Sequence, residues 1–446
     1  MLQVIYDIVD PQADLINNAQ NYRKIELKKN KLYNNKTMSM NSIYILTEKL
    51  IKIVTYFFSG LIIAREAGPY MFGTYSSILS VTIILSAISA LGLNSLLAKE
   101  FINKENKIDD ILSNALLTRV FSCCIFSFAA FPISYYVLKV DSTLSLLSSI
   151  IVMTSVSQVI DIFFESRLRS VIVAKYKSIA YLTGFALKVI SVTYFSSAYS
   201  IIVAHILEMS LLLMLSVYFL KSSNDAKVRL SAFSVSYSKK LLKIGSPLML
   251  SSIASIVYMK IDQVFIVALL DKESVGYYSA AVRLCEGLFI ISAVIVPSLF
   301  PNMLSLYNSS KEKFNRFIGN VFFFLLAIGV LISIPVYLLS DSIIHILYGD
   351  EYINSSDVLM WYCLSIPLIY IGDLFSRWII VTDNIMLSLQ RHLLGLTVNT
   401  VMNFILIPTY GIEGAAIASF LGYTSSILIF SILSSKGRCF YNFMRV

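Results

Sequence analysis

Apolar runs of about 20 residues recur from Ile43 to Leu433, and no other feature restricts the fold of this chain as strongly. At 1.5 Å per residue, about 20 residues cross a hydrocarbon core of about 30 Å. Backbone polar groups have no water to bond inside lipid, so a spanning segment must be a helix or part of a closed barrel. Long continuous runs select the helix. The chain is 57% hydrophobic and only 14% charged, with mean hydropathy +0.74. A water-soluble chain of 446 residues could not hide that much apolar surface behind so little polar surface. The fold class expected is therefore an all-α polytopic membrane protein.

Twelve spans are expected, at about 43–63, 76–98, 113–138, 144–164, 176–196, 198–219, 244–269, 278–303, 317–339, 356–381, 390–408 and 413–434. With the N-terminus inside, the inside loops and termini, together with Lys177 and Arg391 just past their edges, hold 26 Lys and Arg. The outside loops hold three, Arg65, Lys139 and Lys272. Such an excess predicts that both termini are cytoplasmic. It also accounts for the formal net charge of +9 without nucleic acid as a partner. The outside loops are short and leave no room for an external catalytic domain.

A faint internal repeat divides the chain. EAGPYMFGTYSSIL follows the first span and DKESVGYYSAAV follows the seventh, which puts Gly73, Tyr75 and Ser76 at an offset of 203 from Gly276, Tyr278 and Ser279. Six spans per repeat, an even number, give the two halves the same orientation about an axis along the membrane normal. The expected architecture is two pseudo-symmetric six-helix lobes, residues 43–219 and 244–434, around a central cavity. Residues 220–243 form a basic cytoplasmic linker, part of which suits an interfacial amphipathic helix, and 435–446 a cytoplasmic tail. Residues 1–42 are a polar leader without the apolar core of a signal peptide; Met38 and Met40 lie just before the first span and would serve as alternative starts. Prolines 132, 247, 297, 335, 367 and 408 fall in or at the ends of spans, where they kink helices. The small residues after Gly411 suit close helix packing.

Charges within the spans are costly unless paired or facing a wet cavity. Lys52, Lys188 and Lys260 lie near the middle of their spans and Arg283 in the outer third of its own. All four are expected to line a cavity suited to an anionic substrate, since Lys and Arg give charge-assisted hydrogen bonds to phosphate oxygens. Arg283 also has Glu286 three residues on as an ion-pair partner, and Asp262 is placed to neutralise Lys260. Arg377 and Arg119, near inner ends, are candidates for the cavity mouth; both can also snorkel to the interface, and Arg377 follows Asp373 at helix-pair spacing. Asp262, and Glu208 with His205, are the candidates for coupling to a proton or a monovalent cation. Cys123, Cys124, Cys285, Cys363 and Cys439 and the three histidines are too scattered for a metal site or disulfide framework. There is no P-loop, and no cofactor is expected beyond a coupling H⁺ or Na⁺.

Three stretches, IIAREAGPYMFGTYS at 62–76, MKIDQVFIVALLDKESVGYYSAAVRLCEGLFIISAVIVPSLFP at 259–301 and NFILIPTYGIEGAAIASFLGY at 403–423, together resemble the Wzx-type polysaccharide repeat-unit flippases of the multidrug/oligosaccharidyl-lipid/polysaccharide exporter superfamily. The resemblance covers about 42–434. It implies twelve helices in two lobes, alternating access, and movement of an undecaprenyl-pyrophosphate-linked O-antigen or similar repeat unit between leaflets of a bacterial inner membrane. It implies coupling to a proton or sodium gradient. It also implies a monomer surrounded by membrane lipids, working beside a polysaccharide polymerase and a chain-length regulator. Family cavities are cationic, as Lys52, Lys188, Lys260 and Arg283 would make this one.

Three other readings differ in what they require. A multidrug exporter of the same superfamily calls for acidic cavity residues. A membrane-embedded polymerase or ligase calls for a large external loop with catalytic Arg or Asp. A passive channel calls for a repeated filter loop. The mid-span lysines and the short outside loops disfavour the first two, and no such filter loop is present.

Overall fold

The structure, a computed structural model, describes residues 35–103, 107–223, 225–229, 233–434 and 437–441. The leader before Asn35, parts of the linker and most of the tail lie outside the described residues. Every regular element among them is helical.

Helix α1 runs Asn35–Ser89, and α2 spans Leu93–Asn103. Next come α3 (Ile108–Pro132), α4 (Ser142–Thr154), α5 (Gln158–Ser166), α6 (Ser170–Phe195) and α7 (Ala198–Ser223). After the linker come α8 (Val235–Leu269), α9 (Lys272–Leu288), α10 (Ile290–Ser309) and α11 (Lys311–Leu338). Then follow α12 (Ser340–Tyr348), α13 (Ser355–Cys363), α14 (Ser365–Val381) and α15 (Ile385–Thr424), with short helical turns up to Tyr441 after it. Nine helical stretches among the described residues are long and apolar enough to cross a membrane, or ten if α13 and α14, bent by 40°, form one span. The chain is a multi-pass membrane protein.

Two expected loops are replaced by single-residue breaks. α1 continues through the connection expected between 63 and 76, interrupted only at Gly68 (φ 75°), and α15 through that between 408 and 413, interrupted only at Gly411 (φ 60°). Glycine enters that region of backbone space without the Cβ penalty. At Gly68 the next residue is Pro69, which has no N–H to give the carbonyl four residues back. The Tyr352 hydroxyl donates to the nearby Ala64 carbonyl at 2.9 Å, so a polar group near the break is bonded inside an apolar environment.

Residues 225–229 and 233–234 of the linker are non-helical, and 235–243 already belong to α8. Linker backbone amides are held by the first turns of α3: Lys227 N–H donates to Asp109 (2.9 Å), Arg229 N–H to Ser113 (2.9 Å) and Ser234 N–H to Asn114 (2.6 Å).

The repeat residues meet in space. α1 packs along α9. A methyl on Gly73 would overlap the Lys272 carbonyl, and one on Gly276 would overlap the Pro69 carbonyl. The offset of 203 that relates Gly73 to Gly276 also relates Pro69 to Lys272, so the two clashes are equivalent contacts at one crossing of α1 and α9. Small residues let helix backbones approach this closely where hydrophobic burial gives little driving force between helices. At the opposite end of the bundle α8 packs on α2 and α3. A methyl on Gly92 would meet Met249, Thr118 Oγ1 lies 2.8 Å from Ser238 Oγ, and the Tyr237 hydroxyl donates to Glu100 at 3.0 Å. The α1–α8–α9 junction is thus packed by close contacts towards both ends.

Because one outward shift relieves both glycine clashes, Gly73→Ala and Gly276→Ala are expected each to destabilise the protein by about 1–3 kcal/mol. The double variant should cost clearly less than the sum. Thermal unfolding in detergent, compared across the three variants, checks this.

Candidate functional site

Between the two sets of contacts lies a polar pocket whose empty space, open solvent at its mouth included, is about 290 Å³. Tyr56, Ser76 and Ser80 reach it from α1. Lys260 and Gln263 reach it from α8, and Ser279, Arg283 and Glu286 from α9. Helical spacing explains the sharing. Ser76 and Ser80, and Ser279 and Arg283, are four apart and therefore on one face of their helix. Glu286 lies three residues beyond Arg283 on the same face.

Arg283 dominates the electrostatics. It is 5% exposed, and its guanidinium carbon sits 4.3 Å from the Tyr56 ring centroid and 5.0 Å from that of Phe72. Such cation–π contacts hold a guanidinium without neutralising it. Its Nη1 has no hydrogen-bond partner, and no carboxylate pairs with it among the described residues. Room for the group comes from Gly60, where a methyl would overlap the guanidinium. The Glu286 partner allowed for Arg283 is engaged elsewhere: Lys260 Nζ donates to Glu286 Oε1 at 2.6 Å. One ammonium and one carboxylate cancel in the pocket, and the guanidinium remains as the uncompensated charge.

Asp262 does not neutralise Lys260. Two residues along a helix point to nearly opposite sides, and Asp262, 1% exposed, turns away from the pocket. It accepts from the Tyr278 hydroxyl (2.7 Å), Asn399 (2.9 Å), Asn403 (2.6 Å) and Ser419. These donors tie α8 to α9 and to α15 on both sides of the Gly411 break.

Two of the expected cavity cations are packed away from the pocket. Lys188, 4% exposed, pairs with Glu208 of the adjacent helix, in a space kept open by Gly184. His205 Nδ1 lies 3.7 Å from the same carboxylate, and its ring sits edge-on to Tyr75. Arg119 is buried too. Its Nη2 donates to the carbonyls of Ser86 and Ser155 and to the side chains of Ser155 and Gln158, at 3.2–3.3 Å. Ser86 is in the last turn of α1 and Ser155 follows the end of α4, so the cation answers carbonyls near two helix C-termini. That is the structural alternative to a place at the cavity mouth. Arg377 is partly buried over the Phe300 ring at 5.8 Å. It forms no ion pair with Asp373, which accepts from Ser292 at 2.6 Å. Lys52 is exposed, one turn before Tyr56 on the same face of α1, and does not itself line the pocket.

Reasoning from charge alone missed Tyr56, Gly60, Ser80 and Gln263. It also missed the buried network in which Lys177 bridges Asp161 (3.0 Å) and Glu48 (3.9 Å). The spacing Glu48–Lys52–Tyr56–Gly60, four residues at each step, was the available signal for one face of α1. Replacing Gly60 by Ala should push the Arg283 side chain out of place. The expected result is a loss of anion binding of roughly tenfold or more with a stability change within about 1 kcal/mol, because the displaced atoms are the far end of a flexible side chain. Titration of the purified variant with pyrophosphate, beside its melting curve, tests both halves.

The profile of a family described as "Polysaccharide biosynthesis protein" matches residues 62–357. A probable low-salt glycan biosynthesis flippase of Haloferax volcanii is 26% identical over 183 residues, 40% of this chain and 38% of that protein. A putative O-antigen transporter of Shigella flexneri is 24% identical over 214 residues, 46% of this chain and 49% of that protein. The chain thus spans less than half the length of these two relatives. The fold is shared with the lipid II flippase MurJ in an inward closed conformation, with a TM-score of 0.71 at 17% identity, covering 91% of this chain and 90% of that one. It is also shared with an inward-facing multidrug resistance transporter of the MATE family, with a TM-score of 0.66 at 14% identity, covering 91% and 99%.

Proposed function

This chain belongs to the polysaccharide biosynthesis protein family, and on that premise we propose that it is a flippase for a lipid-linked polysaccharide repeat unit. The cargo is an undecaprenyl-pyrophosphate-linked O-antigen or related unit, moved from the cytoplasmic to the periplasmic leaflet of a bacterial inner membrane. The observation that carries this reading is the Arg283 guanidinium, buried against Tyr56 and Phe72 with no carboxylate partner among the described residues. A cation held in a low-dielectric site without its own counter-charge favours an anionic ligand. The pyrophosphate is the one group that every such cargo carries, whatever its sugars. A cationic drug would be repelled by the same charge.

The mechanism on this reading is alternating access between two six-helix lobes, twelve spans in all once α1 and α15 are divided at Gly68 and Gly411. The Lys and Arg excess supports cytoplasmic termini. The Gly73–Gly276 contact then closes the periplasmic side and the contact of α8 with α2 and α3 the cytoplasmic side. The pocket between is too small for a sugar chain, so each half-cycle must open one contact while the other holds. On this reading the protein works as a monomer, with a polymerase and a chain-length regulator downstream.

Coupling to a proton or sodium gradient falls to Asp262. Its oxygens and those of Asn399, Asn403, Ser419 and Tyr278 form an oxygen-rich set that suits either ion, and it touches both sides of the Gly411 break, where a change of charge can bend α15. Glu208 with His205 is the second candidate, already committed in part to Lys188.

Reconstitution in vesicles with a lipid-pyrophosphate oligosaccharide, scored by leaflet exchange, tests the reading. Exchange should exceed that of protein-free vesicles and fall roughly 10- to 100-fold in Arg283→Gln. No exchange, with or without an imposed ion gradient, overturns it. Asp262→Asn should leave downhill exchange in place and abolish its response to the gradient. A response undiminished in that variant removes Asp262 from the coupling role.

A further inference from the structure

Three buried polar groups in the pocket have no hydrogen-bond partner among the described residues: Ser76 Oγ, Ser279 Oγ and Arg283 Nη1. All three residues line the same pocket, and each is nine-tenths or more buried, at 4%, 4% and 5% exposure. Leaving such groups unbonded in a dry interior costs stability. Helical serines usually avoid that cost by bonding back to a carbonyl three or four residues earlier. Ser77 does so with the Thr74 carbonyl. Ser76 and Ser279 do neither.

The repeat explains why the serines converge. They are related by the same 203-residue offset as Gly73 and Gly276, each one turn beyond the point where the two helices touch. The serines therefore flank the pseudo-twofold axis just inside that point of contact, one from each half of the chain. Symmetry ends one turn further on. The position matching Arg283 is Ser80, which donates to Gln263 Oε1. The pocket thus offers two matched hydroxyls and one guanidinium nitrogen, while the carboxylate that lines it, Glu286, is held by Lys260.

We propose that Ser76, Ser279 and Arg283 form a single-phosphoryl cradle that holds one phosphate of the pyrophosphate carrier on the axis between the two halves. The cradle rests on the flippase reading above and specifies which end of the cargo sits at the axis. Three donors with no acceptor of their own suit one tetrahedral oxyanion group, whose several oxygens can each take a donor. A hydroxyl contributed by each half lets both halves keep hold of the same group as they swing. The sugars then lie outside the cradle, and recognition is independent of their identity.

The test uses the purified full chain in lipid nanodiscs, titrated with inorganic pyrophosphate, with undecaprenyl pyrophosphate and with chloride, and melted with and without each. Ser76→Ala and Ser279→Ala should weaken both pyrophosphate probes about tenfold each and to a similar degree, and together roughly a hundredfold. In the absence of ligand the melting temperature should be unchanged or higher, because a hydroxyl without a partner has been removed. Ser77→Ala, a buried helical serine outside the pocket, should bind as the native chain does. Pyrophosphate affinity unaffected by either alanine, an effect from one serine only, or a lowered melting temperature without ligand would each overturn the cradle. So would serine-dependent binding of chloride that pyrophosphate does not displace. Leaflet exchange separates this failure from that of the function. Exchange that persists with serine-independent binding removes only the cradle, whereas serine-dependent binding without any exchange removes the flippase and leaves the cradle standing.

Discussion

An arginine buried without an acid is the constraint around which this molecule is arranged. The Arg283 guanidinium cannot shed its charge as a lysine can, and in a low-dielectric interior a bare cation is costly. The chain meets that cost with ring faces. Tyr56 and Phe72 cover the cation, and Gly60 gives up its side chain so that the group can lie against α1. The nearby carboxylate is withheld, because Glu286 is engaged by Lys260. The result is a site whose charge is positioned but not cancelled.

The packing around that site follows from the membrane. Hydrophobic burial does not distinguish lipid from protein, so helices associate through small residues and polar contacts. Glycine at 73 and 276 brings α1 and α9 to backbone contact, and small or polar side chains continue that seam inward as far as Arg283. The same seam that packs one end of the junction also builds the pocket. On the proposed function, closure and ligand contact are linked through one pair of helices.

Other buried charges hold helices together. Asp262 is held by four neutral donors, which stabilise a carboxylate without a cation. Lys188 and Glu208 satisfy each other, and Arg119 satisfies carbonyls near the ends of two helices. These two clusters look alike in sequence to the pocket residues, yet they fasten helices of the first half together.

Much of this was legible without coordinates. Apolar runs determine helices because lipid offers no partner to an open backbone, and the glycines, tyrosines and serines of the repeat marked equivalent positions of the two halves, though not that these positions meet. Lys260 and Arg283 stood out for the same reason, since a charge in such a run must have a purpose. Which charge has a partner was not legible. Lys188 and Lys260 are equally conspicuous at mid-span, but pairing depends on how helices far apart in sequence are rotated against one another. Only the tertiary structure could give Glu286 to Lys260 rather than to Arg283, turn Asp262 towards α15, and bury Arg119 among carbonyls. Loops were misjudged at Gly68 and Gly411 because one residue at positive φ turns a helix as effectively as a longer connection does. Sequence pattern reports the cost of placing a residue in the membrane; the assembled bundle decides what offsets that cost.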